Sequence, residues 1–249
     1  HHARPLAGSV EIKIQAEPEE GQARNVVGIL RGIDPDLRDE WVVLTAHYDH
    51  LGYRQVSAGQ DGVYNGADDN ASGTAAVLEI ARQLASGKPP RRSVLVLFTS
   101  GEDMGLLGSA YYALHPLVPN DRVVANINVD MVGRSTGAVA ALATGCEEIF
   151  TRAAEIGKQA QVDVLPDSHP TWRLVYFVDS YHFARSSAPF IEFFTDIHAD
   201  YHQPTDEVDR IRFGELGRIT GVILGLADYY AQGGKRPSFK RPVWFLTPN

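Results

Sequence analysis

The sequence predicts an α/β protein, a three-layer sandwich in which helices cover both faces of a mostly parallel central sheet. Two short runs, residues 41–48 and 93–100, are apolar and rich in β-branched side chains, as strands buried on both faces are. Amphipathic helical runs alternate with such strand-like runs along the chain, which is typical of a parallel sheet with crossover helices. An antiparallel hairpin is expected at one edge of the sheet.

The edge hairpin is predicted from the first strand-like runs. Residues 9–16 alternate apolar and polar side chains as a half-buried strand does, and residues 25–32 follow after a Glu-rich turn. These two runs are expected to pair antiparallel. Further strands are predicted at residues 123–133, 138–144 and 188–196.

The clearest helix follows the Gly-rich turn GADDNASG and covers residues 74–85. Its periodicity predicts one buried face and one exposed face. The residues expected to face the core are Ala75, Leu78, Ile80, Ala81 and Leu84, and those expected in solvent are Glu79, Arg82 and Gln83. Three more helices are predicted at residues 106–115, 147–160 and 211–232, the last of them closed by two glycines.

No internal repeat and no linker divides the 249 residues, so a single domain over residues 1–249 is expected. Residues 1–8 have the composition of a tag or a processed end. Residues 235–249 form a Pro-rich tail that is expected to pack on the surface or on another chain. The oligomeric state is left open at this stage.

Composition argues against several classes of function. The chain carries 23 Lys and Arg residues against 31 Asp and Glu, a net charge of −8, which argues against general nucleic-acid binding. The lone cysteine, Cys146, allows neither an internal disulfide nor a cysteine-based zinc site. No apolar run reaches the length of about 18 residues that a spanning helix needs, so no membrane span is expected.

Side chains that can bind metal follow successive predicted strands or stand in the loops beside them. In open α/β sheets, binding sites collect at the carboxyl ends of the strands. The candidates are His47, Asp49 and His50 in HYDHLG, Asp68 and Asp69 in GADDNASG, Glu102 and Asp103 in GEDMGLLGS, Asp130 in DMVG, and His198, Asp200, Tyr201 and His202 in HADYHQPTD.

Each candidate alone has a structural interpretation. A single histidine such as His47 is more often hydrogen-bonded in a core, and Asp69 alone is more often a cap or turn residue. Glu102 and Asp103 alone are typical of a helix N-terminus. Asp130 is different, because an acid at the end of an apolar strand is costly unless it is paired or bound to metal. Together the candidates supply imidazoles and carboxylates without thiolate, a set that suits Zn²⁺, Mn²⁺ or Co²⁺.

The spacing of two pairs suggests separate roles. Asp49 lies two residues beyond His47, so on an extended strand the two share a face, and Asp49 is expected to accept the second ring N–H of His47. Glu102 and Asp103 are adjacent, so their side chains diverge. One of them can bind metal while the other faces the substrate as a base.

Five motifs, AHYDHLG, GADDNASG, GEDMGLLGS, NVDMVG and DYHQPTD, resemble in order the motifs of the M28 family of co-catalytic zinc aminopeptidases. The resemblance covers roughly residues 25–232 and implies a phosphorylase/hydrolase-like fold. It implies two zinc ions per chain, peptide substrates with a free N-terminus, and a secreted or periplasmic location.

The resemblance also implies roles for individual residues. His47 and Asp130 would bind one zinc ion, Asp103 and His202 would bind the other, and Asp69 would bridge the two. Glu102 would be the general base, and Tyr201 would hydrogen-bond the developing oxyanion. The free amine of the substrate would lie against carboxylates near the metals.

Two positions depart from the family pattern. Many members have Glu where this chain has Asp103, and the shorter side chain is expected to shift or weaken the second metal. Members often show Ser-Asp-His before the last strand, whereas residues 179–183 read DSYHF, with Tyr181 at the Asp position. No catalytic role is assigned to His182 or His198.

Other functions of the same architecture remain as alternatives. A glutaminyl cyclase would use one zinc ion, and a carboxypeptidase for acidic C-termini would need a basic residue such as Arg173 or Arg185 in the pocket. A non-catalytic scaffold would have an incomplete ligand set. Residues 161–187 are expected to line the specificity pocket, where Trp172, Tyr176 and Phe177 favour apolar side chains.

Overall fold

The computed structural model describes residues 21–169, 171 and 173–242. Its strands are β1 (Val26–Leu30), β2 (Trp41–His47), β3 (Gly52–Tyr53), β4 (Val63–Tyr64), β5 (Ser93–Thr99), β6 (Val123–Val129), β7 (Ala138–Leu142), β8 (Asp163–Pro166) and β9 (Phe190–Phe194). Its longer helices are α1 (Gly73–Ser86), α2 (Leu107–Leu114), α3 (Glu147–Gln159), α4 (Ser180–Arg185) and α5 (Phe213–Ala231).

Seven strands form the central sheet in the order β1-β5-β2-β6-β9-β7-β8, and β3 pairs with β4 in a separate small hairpin. The four strands β5, β2, β6 and β9 are parallel neighbours, which confirms the prediction of a mostly parallel sheet. Their carboxyl ends lie along one edge, since His47 pairs with Thr99 and Val129 pairs with Phe193. Side chains that follow these strands are therefore brought close together.

The sheet has antiparallel pairings on both sides of its parallel centre. β1 pairs antiparallel with β5 at one edge. Its predicted hairpin partner, residues 9–16, lies outside the described residues, as do residues 1–8 and 243–249. On the other side β7 pairs antiparallel with β9 and parallel with β8. The sequence does not predict β8, because residues 163–166 are few and include an acid and a proline.

Helices cover both faces of the sheet, as the three-layer prediction requires. Alternate residues of β2 point to opposite faces. Val42 and Leu44 pack in the core cluster that includes α1, α3 and α5. Trp41 and Val43 pack with Tyr112 of α2 in a second cluster, which also includes a residue of α4. Every residue of β2, β5 and β6 is buried, and this apolar burial stabilises the sheet that carries the site.

Helix α1 buries Ile80 and Leu84 as predicted, but the rest of its buried face differs from the prediction. Its buried residues are Gly73, Ala76, Val77, Ile80 and Leu84. Leu78 is 54% exposed and Ala75 is exposed too, so their predicted burial is wrong. The rotation of the helix is fixed at its first residue, because a Cβ on Gly73 would lie only 2.3 Å from the carbonyl oxygen of Val129. Anchoring at this turn determines which residues face the sheet.

The predicted strand at residues 123–133 ends at Val129. Residues 131–133 leave the sheet, and their N–H groups bind side chains of the 68–72 turn instead. Within the described ranges, none of the helices combines the length and apolar character that crossing a bilayer requires.

Candidate metal centre

The predicted ligands meet at the carboxyl edge of the parallel strands. His47 is the last residue of β2, and Asp130 follows β6 directly. Asp103 lies in the loop after β5, and His202 lies in the loop after β9. These four side chains surround Asp69, which stands in the turn before α1. The structure therefore brings together all five residues expected to bind metal.

The turn that carries Asp69 is fastened to β6 by Asn70. The Asn70 side-chain amide donates to the Val129 carbonyl oxygen at 3.0 Å, and its oxygen accepts from the Gly73 N–H at 3.0 Å and the Met131 N–H at 3.2 Å. The Asp69–Asn70 peptide bond is cis. Residues 69 and 70 interrupt the helical path, so the Asp69 carboxylate points toward the strand ends.

Asp68 is a structural residue of the same turn. One oxygen of its buried carboxylate accepts from the Gly133 N–H at 2.6 Å and from the Ser72 hydroxyl at 3.0 Å. The other lies 3.1 Å from His198 Nε2. Asp68 thus ties three chain segments together. His198, to which no catalytic role is assigned, is held against Asp68.

Asp69 presents its two oxygens to two different groups of ligands. Oδ1 lies 3.2 Å from His47 Nε2, and Oδ2 lies 3.2 Å from His202 Nε2. The N–H groups of Asp68 and Asp69 both donate to Asp206 Oδ2, at 2.9 and 3.1 Å. Asp206, the last residue of the DYHQPTD motif, therefore holds the backbone beneath the bridging position.

The first ligand group consists of His47, Asp69 and Asp130. His47 Nε2 lies 3.2 Å from Asp69 Oδ1 and 3.3 Å from Asp130 Oδ1. Neighbouring ligands of a tetrahedral zinc ion, each about 2.0–2.1 Å from the metal, are about 3.3 Å apart. The spacing of this group fits such an ion.

The tautomer of His47 is set by a backbone group. Its Nδ1 contacts the carbonyl oxygen of Asp49 at 3.2 Å, whereas the Asp49 carboxylate is 3.9 Å away. The carboxylate accepts from the Glu102 N–H at 3.4 Å instead. The prediction that the Asp49 carboxylate accepts a hydrogen bond from His47 is therefore wrong, because the acceptor is the backbone carbonyl oxygen of Asp49. A carbonyl can only accept, so Nδ1 carries a proton, and Nε2 is the ring nitrogen left to bind a metal ion.

The second ligand group includes Asp69, Asp103 and His202, together with His50. His202 Nε2 lies 3.2 Å from Asp69 Oδ2 and 3.1 Å from Asp103 Oδ1. His50 Nδ1 lies 3.2 Å from Asp103 Oδ2. His50 is among the candidates that the sequence offers after β2, but it is not one of the five ligands that the family resemblance implies.

Several buried polar atoms of the second group have no hydrogen-bond partner within the described part of the chain. They are both ring nitrogens of His50, His202 Nε2, Asp69 Oδ2 and Asp103 Oδ2. Burying such atoms without a hydrogen bond costs free energy, and a bound cation would satisfy them together. The donor set therefore fits a metal ion between these side chains.

Charge in the metal-free centre is balanced by the histidines. The carboxylates of Asp103 and Asp69 raise the pKa of His202 to about 9. Burial favours a higher pKa for Asp69, but the neighbouring His202 and His47 outweigh it and lower that pKa to about 2. Without metal the centre thus holds protonated imidazole beside ionised carboxylate at neutral pH.

Glu102 lies at the wall of the same centre and belongs to neither ligand group. Burial raises its pKa to about 10, and the negative charges of Asp130 and Asp179 add to the rise, while His47 opposes it. A bound divalent cation would reverse this, because positive charge close by favours the carboxylate.

Tyr201 lines the centre beside Glu102 and stacks on His202, with ring centroids 3.8 Å apart. Burial and the nearby carboxylates raise the pKa of Tyr201 above its usual range, so its hydroxyl keeps its proton and can donate. The loop that carries both residues is anchored by Asp200, which accepts from Arg134, Thr205 and Arg210. Asp200 is thus an anchor and lies in neither ligand group.

A cavity of about 100 Å³ opens from the centre. Its acidic wall is formed by Asp69, Glu102, Asp103, Asp130 and Glu192, and its apolar wall includes Met131, Leu142, Leu174, Phe177, Val178, Phe194 and Ile197. Phe177 lies in this cavity as expected, whereas Tyr176 packs against the core and Trp172 is outside the described residues. The predicted segment 161–187 therefore supplies part of the lining.

Two buried acids near the centre are absent from the sequence prediction. The Glu192 carboxylate accepts from the Asn128 amide at 2.8 Å and from the Ser180 hydroxyl at 2.5 Å. The Asp179 carboxylate accepts from the Thr99 hydroxyl. Glu192 interrupts the apolar strand FIEFF, and an acid at such a position was the available signal. Both support the floor of the site.

Comparison with known proteins places the chain among metallopeptidases. A probable zinc metalloprotease of Leptosphaeria maculans is 37% identical over 136 residues, which are 55% of this chain and 29% of that protein. The chain thus spans less than a third of that relative.

Solved structures share the fold. A zinc aminopeptidase from Bacillus subtilis matches with a TM-score of 0.68 at 23% identity, over 86% of this chain and 52% of that one. A glutaminyl cyclase from Bacteroides thetaiotaomicron matches with a TM-score of 0.67 at 20% identity, over 85% of this chain and 77% of that one. The sequence pattern of peptidase family M28 matches residues 25–246, nearly the whole of the described chain, and the protein belongs to that family.

Proposed function

We propose that the protein is a zinc aminopeptidase that uses two metal ions. The observation that carries the proposal is the position of Asp69, whose two oxygens face two separate ligand groups. His47 and Asp130 complete the first group, and Asp103 and His202 complete the second. Two zinc ions held here would supply a water of lowered pKa and a Lewis acid for the scissile carbonyl. Mn²⁺ or Co²⁺ could substitute, since the ligands are imidazole and carboxylate.

Glu102 is the proposed general base. It faces the cavity between the two ligand groups and is free to accept a proton because it ligates neither. It would take a proton from the attacking water and pass it to the leaving amine. The Asp49 carboxylate accepts the Glu102 N–H and so holds the backbone of the base in place.

Tyr201 is the proposed donor to the oxyanion. Its protonated hydroxyl lies at the edge of the cavity, and its stacking on His202 limits the movement of the ring. A donor that is already aimed at the site of developing charge lowers the barrier without reorganisation. Phe177 and Leu174 on the opposite wall would exclude water from the reacting carbonyl.

The cavity suits the N-terminal residue of a peptide. Its acidic wall offers carboxylates to a free ammonium group, and its apolar wall offers space for an uncharged side chain. Among the residues that the structure describes, none of those lining the cavity is basic, as a carboxypeptidase for acidic C-termini would need. Arg173 lines a neighbouring cavity, and Arg185 stacks on Tyr181 at 5.7 Å. These positions favour recognition of the amine.

A glutaminyl cyclase is the second candidate, because a solved cyclase shares the fold. A glutaminyl cyclase would use one zinc ion. The second ligand group, with its buried atoms that lack hydrogen-bond partners, favours the hydrolase. Release of ammonia from an N-terminal glutaminyl peptide would identify the cyclase.

The proposal is tested by comparing a leucyl dipeptide with its N-acetylated counterpart on zinc-loaded protein. We expect cleavage of the free dipeptide only, because the blocked amine cannot pair with the acidic wall. Removal of zinc by a chelator should abolish cleavage, and its return should restore it. Cleavage of both substrates, or of neither while zinc is bound, would overturn the aminopeptidase proposal.

The apolar wall predicts a preference for large aliphatic N-terminal residues. At about 0.8 kcal/mol per buried methylene, kcat/KM should be about 10–100-fold higher for leucyl than for alanyl peptides. Leu174→Ala should reduce this ratio, because Leu174 lines the cavity. Leu165→Ala is the matched control, since Leu165 is exposed elsewhere. An unchanged ratio in the first variant would contradict this assignment of the wall.

Zinc affinity should rise with pH, because the metal must displace a proton from His202. The pKa of His202 is raised to about 9, so the imidazolium form dominates in the metal-free protein at pH 7. The apparent affinity should increase by about tenfold per pH unit for this proton and level off above the pKa. Titration calorimetry in buffers of different ionisation enthalpy should detect proton release at pH 7. Zinc binding without proton release would show that the metal does not displace the proton of His202.

A further inference from the structure

We propose that His50 is a fourth protein ligand of the second metal ion, beside Asp69, Asp103 and His202. This inference rests on the proposed two-metal function. It gives the two ions different surroundings, because within the described part of the chain the first group contains only His47, Asp69 and Asp130.

The position of the His50 ring carries the assignment. Its side chain is 8% exposed, and Nδ1 lies 3.2 Å from Asp103 Oδ2 and 3.7 Å from Asp69 Oδ2. Neither ring nitrogen of His50 nor these two oxygens has a hydrogen-bond partner among the described residues. Ligand atoms of His50, Asp69 and Asp103 lie close enough together to hold one ion. The separations bracket the value of about 3.3 Å expected for neighbouring ligands of a tetrahedral zinc ion.

The backbone of the GADDNASG turn holds the His50 ring in this place. Gly66 has φ = 60°, and a Cβ there would lie 2.8 Å from Cγ and Cδ2 of the ring. The missing side chain is what allows the ring to approach. On its other side the ring meets His202 edge-on, with centroids 5.7 Å apart. His50 is therefore packed between the turn that carries Asp69 and the loop that carries His202.

A fourth ligand changes the expected effect of the short side chain of Asp103. From the sequence alone, the second site is expected to bind metal more weakly, because Asp103 is one methylene shorter than the Glu of many family members. His50 adds a nitrogen donor directly beside Asp103, so the second ion stays tightly bound. Zinc with four protein ligands is typical of closed sites, and zinc with three keeps an open position. The first group, with three protein ligands, would then be the one that leaves a position open for the substrate.

The test is the zinc content and affinity of His50→Gln and His50→Glu, measured by elemental analysis and by competition with a chelator. Wild type should bind two ions. His50→Gln should keep one ion and weaken the other by more than the 10–100-fold that loss of an outer-shell partner costs. His50→Glu should recover part of this loss, because its carboxylate can ligate. His115→Gln, at an exposed histidine far from the site, is the control and should behave as wild type.

X-ray absorption at the zinc edge gives a readout independent of activity. Wild type should show three imidazoles shared by two ions, and His50→Gln should lose one of them. Two tightly bound ions with unchanged imidazole content in His50→Gln would overturn the role of His50 and leave the two-metal proposal intact. A single ion in wild type would overturn the two-metal proposal itself.

Discussion

Glu102→Gln is expected to lower kcat for a leucyl dipeptide by about 10²–10⁴-fold, the contribution that general acid–base catalysis makes. The amide has nearly the same shape as the carboxylate but cannot accept the proton. Because Glu102 lies in neither ligand group, both zinc ions should remain bound. KM should change little, since the cavity keeps its shape.

The measurement is steady-state kinetics together with the zinc content of each variant. Glu155→Gln is the matched control, because Glu155 is an exposed acid paired with Arg152 on the surface of α3. It should retain wild-type activity. A Glu102→Gln variant with two zinc ions and full activity would show that another group acts as the base.

Asp69→Asn is expected to release both metal ions and abolish activity, while the protein stays folded. Asp69 contributes one oxygen to each ligand group, so replacing the carboxylate weakens both sites at once. The backbone N–H groups of the turn remain bound to Asp206 in this variant. The thermal stability of the metal-free protein should therefore change little.

A variant of the neighbouring residue, Asp68→Asn, is expected to lose stability and keep its metal. Asp68→Asn removes the charge that the Gly133 N–H, Ser72 and His198 all contact in a buried position. Loss of one partner of a buried charged network costs about 3 kcal/mol, which corresponds to a fall in Tm of about 6–12 °C for a domain of this size. Zinc bound by the folded fraction should remain at two ions per chain.

Calorimetric unfolding and zinc analysis of the two variants separate these effects. We expect Asp69→Asn to lose both metal ions and keep its stability. We expect Asp68→Asn to keep both metal ions and lose stability. If Asp68→Asn instead lost zinc without losing stability, the roles of the adjacent aspartates would have to be exchanged.

The parallel sheet and the pool of candidate ligands could be predicted because each depends on a local pattern. The choice of five ligands from that pool followed from the resemblance to the M28 motifs. Buried parallel strands require continuous apolar runs, and the carboxyl ends of such strands must meet at one edge. His47 and Asp130 stand at these ends in the sequence itself. Residues that can bind metal at successive strand ends therefore predict a metal centre from the sequence alone.

The remainder depends on contacts that no local pattern contains. The choice between the carboxylate and the carbonyl of Asp49 as partner of His47 is decided by the path of the chain after β2. The burial of His50 depends on the absence of a side chain at Gly66, sixteen positions away. The exposed face of α1, including Leu78, is set by the contact of Gly73 with β6. In each case tertiary packing selects among local options that the sequence leaves equal.

The most direct test of the account is a crystal structure of zinc-loaded protein with anomalous data at the zinc edge. We expect two peaks about 3.5–4 Å apart, one on each side of the Asp69 carboxylate. One peak should contact His47 and Asp130, and the other should contact Asp103 and His202. A single peak, or a pair of peaks not bridged by Asp69, would contradict the two-metal assignment on which the proposed chemistry rests.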